Sequence, residues 1–204
     1  EFVPTPTEAI IAAFEELEQR FGSLHGKHLL DFGAGDLRVS LIADYVYGMR
    51  VTGVEKDPGL SWEARAVLRA AQAEGFAKRI QFTGATDALD VPWTDVGLVF
   101  FFYTHPVDDE AQATQFRARL QAKLREAKPG AVLAALFTST YLGWQLDKLE
   151  QLDVLEPHRT EVSDHEGGLY LQVYRVPQVL SRLMAGGSPA RPSPEPGRAG
   201  THPE

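Results

Sequence analysis

The residues best suited to chemistry follow directly after the first two predicted strands. Gly33 and Gly35 come after a short apolar segment that contains Asp31, and glycines there let the backbone turn sharply and approach a ligand. Glu55 ends the next strand, 20 residues after Gly35, where a carboxylate can accept hydrogen bonds from both hydroxyls of a ribose. Taken alone, the glycines could simply form a tight turn, and Glu55 could simply cap a loop. Together they predict a binding site for a nucleotide-containing cofactor.

The glycine loop lacks the hallmarks of two common nucleotide sites. A dinucleotide fingerprint has a third glycine where this chain has Arg38, and we expect that side chain to crowd the packing of helix on strand. A triphosphate loop has Lys followed by Ser or Thr, a pattern that is absent here. Asp31 suits a cofactor with a cationic amino-acid end and no pyrophosphate. S-adenosylmethionine (SAM) carries an ammonium and a sulfonium, so these residues favour SAM over NAD.

The end of the fourth predicted strand carries two candidate catalytic residues. Tyr103 could orient an acceptor amine by hydrogen bonding, and His105 could accept a proton. A wall residue and a solvated loop histidine are the alternative interpretations. If the acceptor is a lysine, its ammonium must first lose a proton, because the pKa of a free lysine side chain is about 10.4. Apolar and aromatic surroundings would favour the neutral amine.

Potential metal ligands occur near the end of the chain, namely His158, Asp164, His165 and Glu166. They fall at a predicted turn and lack the regular spacing of metal ligands. The chain also has no cysteine. We therefore expect no metal site.

Hydrophobic periodicity predicts helices that alternate with strands around these loops. The predicted helices span 7–21, 37–47, 61–74, 109–127 and a segment near 144–149. The predicted strands span 28–32, 51–55, 79–83, 96–103, 131–137, 152–162 and 169–176. Five strands that alternate with helices imply a parallel sheet, and the last two strands form a hairpin. We therefore predict an α/β fold with a Rossmann-like, doubly wound, mostly parallel seven-stranded sheet and a C-terminal antiparallel hairpin.

Composition and charge limit the partners of the chain. Its 204 residues carry a formal net charge of −8, which argues against a phosphate backbone as the main partner, so we expect no nucleic acid. No apolar segment approaches the ~20 residues of a membrane helix. We expect a cytoplasmic protein, with any segment upstream of Glu1 left open. The sequence leaves the oligomeric state open.

Several motifs resemble those of class I SAM-dependent methyltransferases. Asp31-Phe32-Gly33-Ala34-Gly35 looks like their first motif, Val54-Glu55-Lys56-Asp57-Pro58 like their ribose-binding turn, and Lys128-Pro129-Gly130-Ala131 like the turn before their fifth strand. A narrower likeness is to the small protein-lysine methyltransferases of archaea and mitochondria. Val3-Pro4-Thr5-Pro6 and Gly35-Asp36-Leu37-Arg38 are similar to their Val-Pro-Thr-Pro segment and Gly-Asp-Gly-Arg loop, with Leu37 in place of the second glycine.

The resemblance implies roles for further residues. Residues 3–6 are expected to fold over the cofactor as a lid, with Thr5 near its methionine end. Alternatively, the prolines only stiffen the approach to the first helix. The family places an acidic adenine contact four positions after the Phe of strand three, which here is Thr86, and Asp87 follows it. We expect Thr86 or Asp87 to contact adenine.

We divide the chain into a lid segment with the first helix (1–26), a SAM-binding methyltransferase domain (27–180) and a disordered Pro- and Gly-rich tail (181–204). The leading functional hypothesis is SAM-dependent N-methylation of a protein lysine. The alternatives are methylation of a small metabolite or lipid head group, and a non-catalytic SAM-binding domain. A nicotinamide oxidoreductase is disfavoured by Arg38 and by the terminal hairpin. The Asp/Asn-Pro-Pro-Tyr/Phe pattern of DNA-base amino methyltransferases is absent.

Overall fold

The computed structural model describes residues 4–103, 110–138, 156–163 and 169–175. In chain order the elements are α1 (Thr7–Phe21), β1 (His28–Phe32), α2 (Arg38–Tyr45), β2 (Arg50–Glu55), α3 (Pro58–Ala73), β3 (Ile80–Gly84), the short 3₁₀ helix η1 (Ala88–Asp90), β4 (Leu98–Tyr103), α4 (Glu110–Glu126), β5 (Val132–Thr138), β6 (Glu156–Ser163) and β7 (Leu169–Arg175). The strands form one sheet in the order β3-β2-β1-β4-β5-β7-β6.

The first five strands are parallel, whereas β7 pairs antiparallel with both β5 and β6. Strand β1 lies between β2 and β4, so the strand order reverses beside it. Ligands of open α/β sheets bind beyond the carboxyl ends of the strands at such a reversal. This topology confirms the predicted doubly wound, seven-stranded sheet with its C-terminal hairpin.

The central strands are apolar on both faces because helices cover both faces of the sheet. In β4, Leu98 and Phe100 belong to one hydrophobic cluster, and Val99 and Phe101 belong to the other. Helix α1 covers the first face with side chains that have no solvent exposure, namely Ile10, Phe14 and Leu17. Helix α4 covers the second face with Leu120 and Leu124. The sheet is therefore held in place on both sides.

Local side-chain contacts set where the helices begin. Helix α3 begins three residues earlier than predicted, because the Asp57 carboxylate accepts a hydrogen bond from the Leu60 amide (2.9 Å) and Pro58 fits the first turn. Helix α2 begins one residue later than predicted, since Leu37 has a left-handed φ of 67°. The element η1 was not predicted.

Some predictions fall outside the described residues. These are the helix near 144–149, the hairpin turn at 164–168 and the tail at 181–204. Among the helices that the structure describes, none combines the length and the apolar character needed to cross a membrane.

Candidate functional site

The glycine loop between β1 and α2 is tied to the end of β2. The amides of Gly33 and Ala34 both donate to the Val54 carbonyl at 2.9 Å. Gly33 and Gly35 have φ angles of 78° and 49°, a left-handed conformation that glycine adopts without steric cost. The loop therefore holds a fixed shape at the carboxyl edge of the sheet.

Glu55 links the glycine loop to the loop after β2. Its buried carboxylate accepts hydrogen bonds from the Gly35 amide (2.9 Å) at one oxygen and from the Asp57 amide (2.8 Å) at the other. A carboxylate offers about four acceptor positions, so roughly two remain for a ligand. Glu55 therefore lies at the carboxyl end of β2 with its orientation fixed by two amides, and its contact with a ribose stays a prediction.

Asp31 is a buried acid on the same side of the sheet. The Ser40 hydroxyl donates a hydrogen bond to its carboxylate at 2.6 Å. Burial, together with the neighbouring charges of Glu55 and Asp36, raises the pKa of Asp31 to about 7, and the hydrogen bonds from Ser40 offset part of that rise. A carboxyl group in this state gains a full charge when a cation lies next to it, which suits the cationic amino-acid end of SAM.

The expectation that Arg38 crowds the helix–strand contact is wrong. Leu37 makes that contact instead: it is fully buried, and a Cβ added to Gly53 of β2 would lie 3.3 Å from the Leu37 Cδ2 atom. The glycine that permits close packing therefore lies on the strand rather than on the helix. Arg38 points outward, with 36% of its side chain exposed.

Arg38 joins the N-terminal segment to the glycine loop, a contact that sequence analysis missed. Its guanidinium binds the Asp36 carboxylate at 2.6 and 2.9 Å and donates to the Thr5 carbonyl at 3.0 Å. Thr5 is itself buried. The structure thus brings Thr5 next to the candidate cofactor loop. Whether Thr5 itself contacts the cofactor stays a prediction.

Thr86 and Asp87 both lie at the carboxyl edge beyond β3. The Thr86 amide donates to the Glu55 carbonyl at 3.1 Å. The Asp87 carboxylate caps η1 through the Leu89 amide (2.9 Å) and binds Arg119 of α4 at 3.0 Å. Both Asp87 oxygens are therefore engaged within the protein. Contact of either residue with adenine stays a prediction.

Ser61 and Arg119 support this part of the site and were not identified from the sequence. The Ser61 hydroxyl donates to the Glu55 carbonyl (3.2 Å) and accepts from the Ala85 amide (2.9 Å). Arg119 also binds Asp90 at 2.8 Å. Arg119 lies 32 residues from Asp87 in sequence, so no local pattern could have revealed the pair.

Of the two candidate catalytic residues, the structure describes Tyr103. Tyr103 is the last residue of β4, opposite Phe137 of β5, which places its backbone at the carboxyl edge of the sheet. His105 lies outside the described residues. Their catalytic roles stay predictions.

Potential metal ligands do not cluster in the part of the chain that the structure describes, where no group of three or more His, Asp or Glu side chains could hold an ion. Asp164, His165 and Glu166 lie outside that part.

Comparison with known proteins relates the chain to solved structures only. No protein-family model matches the chain, and no curated protein matches it either. It is similar to an RNA methyltransferase from Salinibacter ruber in complex with S-adenosyl-L-homocysteine, at 20% identity and a TM-score of 0.59, covering 86% of this chain and 95% of that one. A methyltransferase from Pyrococcus furiosus is similar at 15% identity and a TM-score of 0.61, covering 86% and 87%. The cyclase SpnF is similar at 15% identity and a TM-score of 0.60, covering 83% and 81%.

These neighbours confirm the expected fold. The first of them holds S-adenosyl-L-homocysteine. The cyclase shows that one fold supports more than one reaction, so the site must carry the functional argument. This chain has the fold of class I SAM-dependent methyltransferases.

Proposed function

We propose that this chain transfers the methyl group of SAM to a nitrogen, and that the acceptor is a protein lysine. The observation that carries the proposal is the pair of buried carboxylates, Asp31 and Glu55, on either side of the glycine loop. Asp31 suits a cationic amino-acid end, and Glu55 suits the hydroxyls of a ribose. A ligand that needs both is an adenosyl sulfonium.

The residues present fit such a cofactor along the carboxyl edge. In our proposal Glu55 holds the ribose, Asp31 faces the amino-acid end, and Gly33 and Gly35 give the backbone room. Thr86 or Asp87 meets adenine. Thr5, held by Arg38, covers the methionine end, as the lid expected from the family resemblance.

The main work of the protein in methyl transfer is alignment and exclusion of water. Bound SAM supplies an electrophilic methyl group on a positively charged sulfur, so the leaving group needs no proton. The acceptor amine must arrive neutral and in line with the carbon–sulfur bond. We assign Tyr103 to orienting the amine and His105 to accepting the proton that the lysine ammonium loses before its nitrogen attacks.

The protein-lysine acceptor is supported by two short motifs that the fold brings together. Residues 3–6 and 35–38 carry the likeness to small protein-lysine methyltransferases. The hydrogen bond from Arg38 to the Thr5 carbonyl joins the two motifs physically. A lid attached to the cofactor loop would explain why the two motifs occur together in the protein-lysine methyltransferases that this chain resembles.

RNA is the second candidate acceptor, because the Salinibacter ruber neighbour is an RNA methyltransferase that this chain matches over most of both lengths. Sequence analysis expected no nucleic-acid partner because the net charge is −8, and the RNA acceptor is the alternative to that expectation. A small metabolite, a lipid head group and a non-catalytic role are the other acceptors or functions that the test must separate.

The test is transfer of labelled methyl from SAM to separate pools of protein, RNA, lipid and small molecules. We expect label in protein that is recovered as methyllysine after hydrolysis. Prior chemical blocking of lysine amines should abolish the label, and Glu55→Ala should lose it as well. Label in RNA, lipid or metabolites instead would refute the lysine acceptor. SAM binding without label in any pool would favour the non-catalytic role.

A further inference from the structure

A cluster of exposed aromatic side chains lies at the amino edge of the sheet, opposite the candidate cofactor site. Tyr45 at the end of α2 is 74% exposed, Phe76 before β3 is 51% exposed, and Val46 beside them is 58% exposed. The Tyr45 and Phe76 rings contact each other edge to face, with centroids 5.7 Å apart. We call these three residues the amino-edge patch.

The amino-edge patch separates two neighbouring cavities. One, of about 620 Å³, is bordered by Tyr45, Val46 and the acidic residues Glu15 and Glu18 of α1. The other, of about 450 Å³, is bordered by Tyr45, Phe76 and Lys78. Apolar side chains next to concave surface are typical of contacts between proteins, where Tyr and Phe are enriched.

Charge is distributed unevenly on the two flanks of the patch. Glu15 lies on the α1 flank and Lys78 on the β3 flank, and both are exposed without an ion-pair partner in the described residues. Arg79, which borders both cavities, is neutralised by Asp44 at 2.6 Å. The surface therefore runs from acidic through apolar to basic.

We propose that the amino-edge patch binds a second copy of this chain in a two-fold symmetric dimer. A two-fold axis that crosses the patch between its two flanks sets the acidic flank of each copy against the basic flank of the other. A surface with one charge sign on both flanks would repel its own copy, whereas this one is self-complementary. The arrangement leaves the carboxyl edge open in both subunits, and it does not depend on the methyl acceptor.

The first test is the molar mass of the full chain in solution as a function of concentration. We expect a reversible dimer that Tyr45→Ser and Phe76→Ser each weaken at least about tenfold, because aromatic anchors dominate such interfaces. Trp62→Ser is the matched control, since Trp62 is 71% exposed on α3 outside the patch, and it should leave the dimer intact. All three variants should fold, because each removes only an exposed side chain.

The second test exchanges the flanking charges. Glu15→Lys and Lys78→Glu should each weaken the dimer, and the double variant should recover it. A chain that stays monomeric at the highest concentrations, or a dimer that survives Tyr45→Ser and Phe76→Ser, would overturn the proposal. So would a double variant no better than the worse single one.

Discussion

At the carboxyl edge of the sheet, two carboxylates are buried and each is held by a hydrogen bond to a nearby loop or helix. At the amino edge, the aromatic rings of Tyr45 and Phe76 are exposed, and the buried acid Asp44 is already paired with Arg79. The carboxyl edge therefore has carboxylates with free hydrogen-bond acceptor positions, whereas the amino edge has exposed apolar surface. The first arrangement suits a small charged cofactor, and the second suits a protein surface.

Glu55→Ala should give the largest loss at the carboxyl edge. Hydrogen bonds to charged groups contribute about 1.5–3 kcal/mol each, so losing two ribose contacts should weaken SAM binding about 100-fold or more. Calorimetry measures the affinity directly. Glu15→Ala removes an exposed acid at the amino edge and should leave it unchanged. Equal effects of the two variants would remove the contrast between the edges.

Asp31→Asn should remove a pH dependence. The pKa of Asp31 is raised from 3.8 to about 7, so the folded, ligand-free protein binds this proton more tightly than the unfolded chain does. Its stability should therefore fall as pH rises from about 4 to about 7, while SAM affinity should rise up to about pH 7 as the carboxylate forms.

The Asn variant should flatten both dependences. It should melt at a higher temperature than the wild type above pH 7 and bind SAM more weakly. Thermal melting and calorimetry measure stability and SAM affinity from about pH 5 to about pH 8, a range that spans the raised pKa of Asp31. A wild-type affinity for SAM that does not change with pH would contradict the role given to Asp31.

Arg38→Ala should weaken SAM binding about tenfold, because the N-terminal segment loses its contact with the glycine loop, worth about one charge-assisted hydrogen bond. The SAM affinity of Arg38→Lys should lie between those of the wild type and Arg38→Ala. Arg20→Ala is a matched control, since Arg20 is also 36% exposed and also paired with an acid, Glu16, but lies in α1 away from the loop. An unchanged affinity in Arg38→Ala would rule out the lid.

Leu37 offers the smallest effect and concerns stability alone. Leu37→Ala removes a fully buried side chain and keeps the left-handed φ of 67°, whereas Leu37→Gly removes the side chain and relieves that conformation. Because a left-handed conformation costs a non-glycine residue about 1–2 kcal/mol, the Gly variant should be the more stable of the two by about that amount. Urea unfolding of both variants measures the difference.

The order of the strands was predicted correctly, whereas the ends of most strands differ from the predicted ones by one to four residues. Helix α1 and strand β1 begin and end where periodicity placed them, because their apolar spacing and flanking glycines act locally. The positions of Asp31 and Glu55 followed from the same strands, since parallel strands bring their carboxyl ends to one edge.

Contacts between distant segments could not be predicted. Gly53 reads as an ordinary strand glycine, and only the folded chain shows Leu37 packed against it. The ion pair of Arg119 with Asp87 and the hydrogen bond of Arg38 to Thr5 join residues 32 and 33 positions apart. Such pairs depend on how helices settle on the sheet, which no local pattern records.

The most direct test of the cofactor assignment is calorimetric titration of the purified chain with SAM, with NADH as the control ligand. We predict one SAM site per chain, with affinity that rises toward pH 7 and no measurable binding of NADH. Binding of NADH in preference to SAM, or no binding of SAM at any pH, would contradict the assignment of the carboxyl edge as a SAM site.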